Sequence, residues 1–155
     1  MSRLFGPLRQ MGFVVRDIDR AMRHWVEVCG IGPWFLAEKL PLDAFWYKEQ
    51  RYDDIHLTIA LANSGDVQLE LIQQRDEKPS MYRDFLAAGR EGLQHWSSWP
   101  ENYHRCRAHH AAARGRARPA SRDRQSRPTL THWLAERTTS ERANPVRVLP
   151  RRRPR

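Results

Sequence analysis

The chain has 155 residues, 40% of them hydrophobic, and a formal net charge of +9, a size and composition that suit one domain with its own core. The charge is unevenly placed: residues 1–103 carry 12 Lys+Arg against 15 Asp+Glu, net −3, whereas residues 104–155 carry 15 against 3, net +12. The pI of about 10.5 thus belongs to the tail and excludes a basic nucleic-acid-binding face on the first part, while no run of the roughly 18 apolar residues that a membrane span needs occurs anywhere. MSRLFGPLRQ lacks the apolar core of a signal peptide, and Cys29 and Cys106 offer neither a CxxC pair nor a disulfide framework, so a cytoplasmic protein is expected.

In chain order, Leu8 to Val15 (LRQMGFVV) reads as a strand. Alternation puts Met11, Phe13 and Val15 on one face and Gln10, Gly12 and Val14 on the other. Asp17 or Asp19 can cap the helix that follows, whose apolar residues Ile18, Ala21, Met22, Trp25, Val26 and Cys29 recur along one side until Gly30 ends it. Pro33 to Glu38 suits a second strand, the link containing Pro41 a turn, and Ala44 to Tyr52 a third, aromatic-rich strand. His56 to Ala62 and Val67 to Gln73 flank the turn-forming tetrapeptide Asn-Ser-Gly-Asp at 63–66 and predict a hairpin. Met81 to Ala88 follows as a short helix and Gly92 to Trp99 (GLQHWSSW) as another strand.

This order of strand, helix, strand, strand, strand, together with RQMGFVVRDIDRAMRHW, VQLELI and GLQHW, resembles the vicinal-oxygen-chelate superfamily of glyoxalase I, methylmalonyl-CoA epimerase, extradiol dioxygenases and bleomycin-resistance proteins. The resemblance spans roughly residues 7–100. It implies an α+β fold made of one complete βαβββ module, residues 1–103 including the first strand of a second module, and a basic tail over 104–155. In that family paired modules form a cup whose first and last strands supply divalent-metal ligands. Carried over by position, Gln10, Glu70 and His95 are the implied metal ligands, and Glu70 is also the implied catalytic carboxylate. A fourth ligand, a Glu near the end of module two, has no counterpart, because the acids after Tyr103 are Asp123, Glu136 and Glu141 and none sits in a β-like run.

The donor types stand on their own chemistry as well. An amide oxygen, a carboxylate and an imidazole on one face make a borderline-hard site for Zn, Ni, Co, Mn or Fe. Taken singly, each has a plainer reading: polar residues that alternate with apolar ones on a strand usually face water, and a lone His is more often structural. Aromatic residues Trp34, Phe35, Phe45, Trp46, Tyr47 and Tyr52 could wall a substrate pocket. Alternation separates Phe35, Phe45 and Tyr47 from Trp34 and Trp46 without saying which set is core, and Trp34 and Trp46 are the pocket candidates.

From His104 the chain holds 15 Arg, 8 Ala and 5 Pro with no Lys, Phe, Ile, Tyr or Met. Residues 104–118 favour a helix through Ala111 to Ala113, and Pro119 stops it. The remainder reads either as a disordered basic arm or as out-of-frame translation of a GC-rich gene, and the abrupt change after Tyr103 favours the second. The functional expectation is metal-dependent lyase, isomerase or epimerase chemistry on a small α-oxo or thioester substrate, in a homodimer, crippled in this form by the missing carboxylate. The alternatives are a non-catalytic small-molecule-binding protein, an extradiol-type dioxygenase (against which Gln10 counts), and nucleic-acid binding through the tail.

Overall fold

A computed structural model describes residues 5–42, 44–116 and 147–149 of the chain. Its elements are β1 (Gln10–Val14), α1 (Ile18–Glu27), β2 (Trp34–Leu42), β3 (Phe45–Tyr47), β4 (Gln50–Tyr52), β5 (Ile55–Ser64), β6 (Val67–Gln74), α2 (Met81–Ala87), β7 (Gly92–Ser97), α3 (Tyr103–Arg116) and β8 (Arg147–Leu149). Six strands form one sheet in the order β7-β1-β6-β5-β2-β8, and β3 pairs with β4 as a separate hairpin. The fold is α+β, with a βαβββ module built from β1, α1, β2, β5 and β6 and the strand β7 added beside β1.

The alternation read in β1 sorts the sheet into two faces. Met11, Phe13 and Val15 share one with Leu69, Leu71, Ala60, Ala62, Trp34 and Leu36, and there α1 packs Ile18 and Met22 into an apolar cluster. Asp17 caps α1, its side chain accepting from the Arg20 N–H at 2.9 Å. Gln73 fixes the entry, donating to the Arg16 carbonyl and accepting from the Ile18 N–H. The Ile18 bond, like the Asp17 cap, satisfies an N–H that a helix start leaves open. On the opposite face Val14, Ile72, Ile55, Leu57 and Ile59 form a second cluster with Leu40, Leu42, Phe45 and Tyr82, covered by α2 and the β3–β4 hairpin.

Three expectations are corrected. Pro41 lies inside β2 rather than in a turn, paired with His56 after an irregularity between Ala37 and Leu40. β8 pairs β2 only over Trp34 to Leu36, so Pro41, which has no N–H to donate, occupies a stretch that is the sheet's edge among the described residues. The predicted third strand is the β3–β4 hairpin, turned at Lys48 and Glu49, both of which have positive φ. Neither is a residue that signals such a turn. Cys29 lies past the end of α1 and is exposed, since the helix ends at Glu27, before Gly30.

The expected hairpin forms, with Asn63 and Ser64 inside β5 and the turn itself at Gly65 and Asp66, and the Ser80-capped α2 and the strand at 92–97 form as expected. The helix expected over 104–118 is α3, with Cys106 buried. The nature of the tail beyond it lies outside the described residues, as do Asp123, Glu136 and Glu141. Because Met22 is fully buried between α1 and the sheet, Met22→Ala should lower the free energy of unfolding by about 2–5 kcal/mol, read from urea denaturation; a change below about 1 kcal/mol would show that α1 is not packed on this face.

Candidate metal centre

The polar residues of the second face gather on β1, β6 and β7, beside the apolar cluster that α2 and the hairpin cover. Gln10 and Gly12 project there from β1, and parallel pairing sets Gln68 beside Gln10 and Glu70 beside Gly12 on β6. On the other side of β1, antiparallel pairing sets Ser97 beside Gln10 and His95 beside Gly12. Since laterally paired residues share a face, the sheet order itself brings Gln10, Glu70 and His95 together, from positions 60 and 85 residues beyond the first.

Glu70 is 1% exposed, and its Oε1 has no hydrogen-bond partner among the described residues. Its Oε2 lies 3.7 Å from His95 Nε2. The His95 side chain is 35% exposed, so it is the member of the trio that meets solvent. Gln10 is buried and held from both sides: its Nε2 donates to Gln68 Oε1 at 3.0 Å, and its Oε1 accepts from Ser97 Oγ at 3.0 Å. His95 Nδ1 is 2.6 Å from Gln94 Oε1.

Nearby, Tyr82 of α2 is buried in the apolar cluster. Burial, and after it the negative charge of Glu70, hold its phenol well above the ordinary tyrosine value. Outside this region, Asp84 accepts from Lys48 Nζ at 2.7 Å and from the Tyr47 hydroxyl, tying the β3–β4 hairpin to α2. The two donors hold the Asp84 carboxyl below its ordinary value, the Lys48 bond foremost. This cluster is exposed and braces the fold.

Two features fit a cation. A buried carboxylate oxygen lacks a donor among the described residues, and an unpartnered charge in such a place is costly unless a positive group or a proton meets it. Gly12, with no side chain, leaves the space in which the His95 ring lies. Among the described residues no three His, Cys, Asp or Glu side chains gather as a metal-binding group. An ion here would therefore draw on the Gln10 amide oxygen as its third protein donor.

Trp34 does not line this face. It is fully buried beneath α1 on the other one, its indole N–H donating to the Ile31 carbonyl at 3.0 Å. Trp46, 47% exposed, belongs to the separate hairpin. The aromatic residue on the site's face is Phe35, 49% exposed and paired with Leu61, which is itself paired with Glu70. Gln68, Ser97, Gln94 and Phe35 carry no signal in the sequence without the strand register. Gly12 did carry one, because a glycine inside a strand marks a close approach.

A model of the glyoxalase/bleomycin resistance protein/dioxygenase superfamily matches residues 9–128. The chain belongs to that superfamily. Solved structures similar to this superfamily member include a hypothetical protein from Bacillus halodurans C-125, at 18% identity and a TM-score of 0.49 over 70% of this chain and 68% of that one. Methylmalonyl-CoA epimerase from Mycobacterium tuberculosis is similar at 18% identity and 0.49, over 73% and 68% of the two chains. A selenomethionine form of methylmalonyl-CoA epimerase follows at 20% and 0.46, over 74% of each. No curated protein matches the chain. Among the described residues no helix is long and apolar enough to cross a membrane.

The raised Tyr82 phenol has a consequence for stability. Its folded value lies above its unfolded one, so the contribution is complete below about pH 10 and is lost as pH rises further. Tyr82→Phe should flatten the alkaline fall in unfolding free energy by up to about 1.4 kcal/mol per pH unit, measured by denaturation between roughly pH 9 and 11.5; parallel profiles would mean that the phenol titrates normally in the folded chain.

Proposed function

We propose that this superfamily member holds one divalent transition-metal ion through Gln10, Glu70 and His95 and carries out lyase, isomerase or epimerase chemistry on a small α-oxo or thioester substrate. The observation that carries this reading is the Glu70 carboxylate, buried with one oxygen near His95 and the other without a partner among the described residues. Amide oxygen, carboxylate and imidazole form a donor set suited to Zn, Ni, Co, Mn or Fe. When bound, the ion would act as a Lewis acid toward a substrate carbonyl oxygen.

The chain's own residues divide the remaining work. Gln10 presents its amide in a fixed orientation, because Gln68 and Ser97 hold it from opposite sides. His95 offers Nε2. The Glu70 carboxylate would accept a proton from the carbon next to the substrate carbonyl and return it. The different surroundings of its two oxygens allow one carboxylate both to ligate and to move a proton, where the family pattern implies a further Glu. Burial of Gln10 and Glu70 keeps bulk water from the carboxylate and strengthens its electrostatics. Phe35 and Leu61 offer apolar contact to the substrate beside Glu70. The same reading includes self-association at the open edge of β7, where Leu93 and Trp96 are exposed.

The test is elemental analysis of the purified chain after equilibration with each candidate metal, beside Glu70→Gln. About one ion per chain, lost or weakened in the variant, is expected, and solvent deuterium should enter the α-carbon of a small α-oxo thioester about 10²–10⁴-fold more slowly with Glu70→Gln. Folded protein that takes up no metal would instead favour the sequestering, non-catalytic branch of the superfamily.

A further inference from the structure

We infer that Gly12 and Gln94 are positioning residues that together hold the His95 ring with Nε2 directed at Glu70. The inference rests on the reading of His95 as a ligand and concerns how an otherwise half-exposed imidazole is fixed.

Between β1 and β7 the register runs Gly12 to His95 and then Phe13 to Leu93, so Gln94 is an extra residue on β7. Such a bulge breaks strict alternation and re-aims side chains. Here it leaves the Gln94 amide oxygen 2.6 Å from His95 Nδ1, a contact that neighbours on a regular strand, facing opposite ways, do not make. Across the pair, a Cβ placed on Gly12 would fall 2.7 Å from His95 Nδ1 and closer still to Cε1 and Nε2. The imidazole occupies the volume that any other residue at 12 would fill.

Backbone freedom is not the reason for this glycine. Gly6, Gly30, Gly65, Gly89 and Gly92 have positive φ, whereas Gly12 keeps ordinary strand geometry. A glycine inside a strand lowers stability, and the space it opens is the one function its position shows. The Gln94 oxygen accepts from Nδ1–H, which sets the neutral ring in that tautomer and leaves Nε2 bare on the side of Glu70 Oε2, 3.7 Å away, a pair of acceptors that a cation between them would satisfy. Gly12 fixes where the ring lies, and Gln94 fixes which nitrogen is bare.

The test uses the full chain without metal, after chelator treatment, so that it does not depend on whether an ion binds. Nitrogen-15 NMR at a pH where the ring is neutral reads the His95 tautomer. The native chain should show Nδ1–H. Gln94→Leu and Gly12→Ala should each shift the ring toward the Nε2–H form that free imidazole side chains prefer in water, and Gln94→Glu, which keeps an acceptor, should restore Nδ1–H. Gln94→Leu alters a partly exposed side chain, so it remains informative if Gly12→Ala fails to fold. A native ring protonated on Nε2, or signals unchanged by both Gln94→Leu and Gly12→Ala, would overturn the inference.

A separate cobalt(II) titration distinguishes this outcome from the failure of the metal reading. With the metal site real, Gln94→Leu should raise the dissociation constant about 10–100-fold. A native chain that shows the expected tautomers but takes no cobalt would leave the cradle in place and remove the metal from it.

Discussion

Glu70 sits in β6, between β1 and β5, on a face where its carboxylate is buried and one of its oxygens meets no donor among the described residues. Apolar burial can be had from any strand of suitable pattern, but a charged group in this position is costly, by several kcal/mol when it is left alone. The surrounding residues are arranged around that cost. β1 supplies an amide and then a glycine, β7 brings an imidazole to within 3.7 Å, and α2 places a phenol close enough to feel the negative charge. A cation or a proton at Glu70 would relieve the same strain, and the proposed metal site and proton acceptor therefore coincide.

The two faces of the sheet differ in what they carry. α1 closes one side with Trp34, Ile18 and Met22, and nothing on that side bears on the carboxylate. The other side is covered only in part, by α2 and the β3–β4 hairpin braced through Asp84. What they leave is a patch of Gln10, Gly12, Gln68, Glu70, His95 and Ser97. Positioning there relies on backbone pairing, which is rigid, more than on loops. Two local features border the patch: the bulge at Gln94 and the missing side chain at Gly12.

How far the sequence spoke depended on the range of the interactions. Alternation in QMGFV placed Gln10 and Gly12 opposite Met11 and Phe13, and a capping Asp17, the Asn63 to Asp66 turn and the start of α2 after Pro79 were all local signals that the fold follows. The Lys48-Glu49 turn was illegible, since both residues adopt a backbone region usually left to Gly or Asn. Trp34 and Phe35 are neighbours with opposite fates, and only the packing of α1 decides which is core. Family resemblance brought Gln10, Glu70 and His95 into one list, but their supports Gln68, Ser97 and Gln94 became visible only through register. The superfamily match runs to residue 128, past the change in composition at Tyr103, while residues 117–146 and 150–155 lie outside the described residues.

X-ray absorption spectroscopy of the chain loaded with one equivalent of zinc or cobalt reads the donor set without reference to any substrate. A first shell of nitrogen and oxygen near 2.0–2.2 Å with the outer-shell scattering of a single imidazole, that signature vanishing in His95→Ala, is the result expected from Gln10, Glu70 and His95. A shell without imidazole scattering, or one unchanged in His95→Ala, would place the metal elsewhere and leave the buried Glu70 carboxylate to a proton alone.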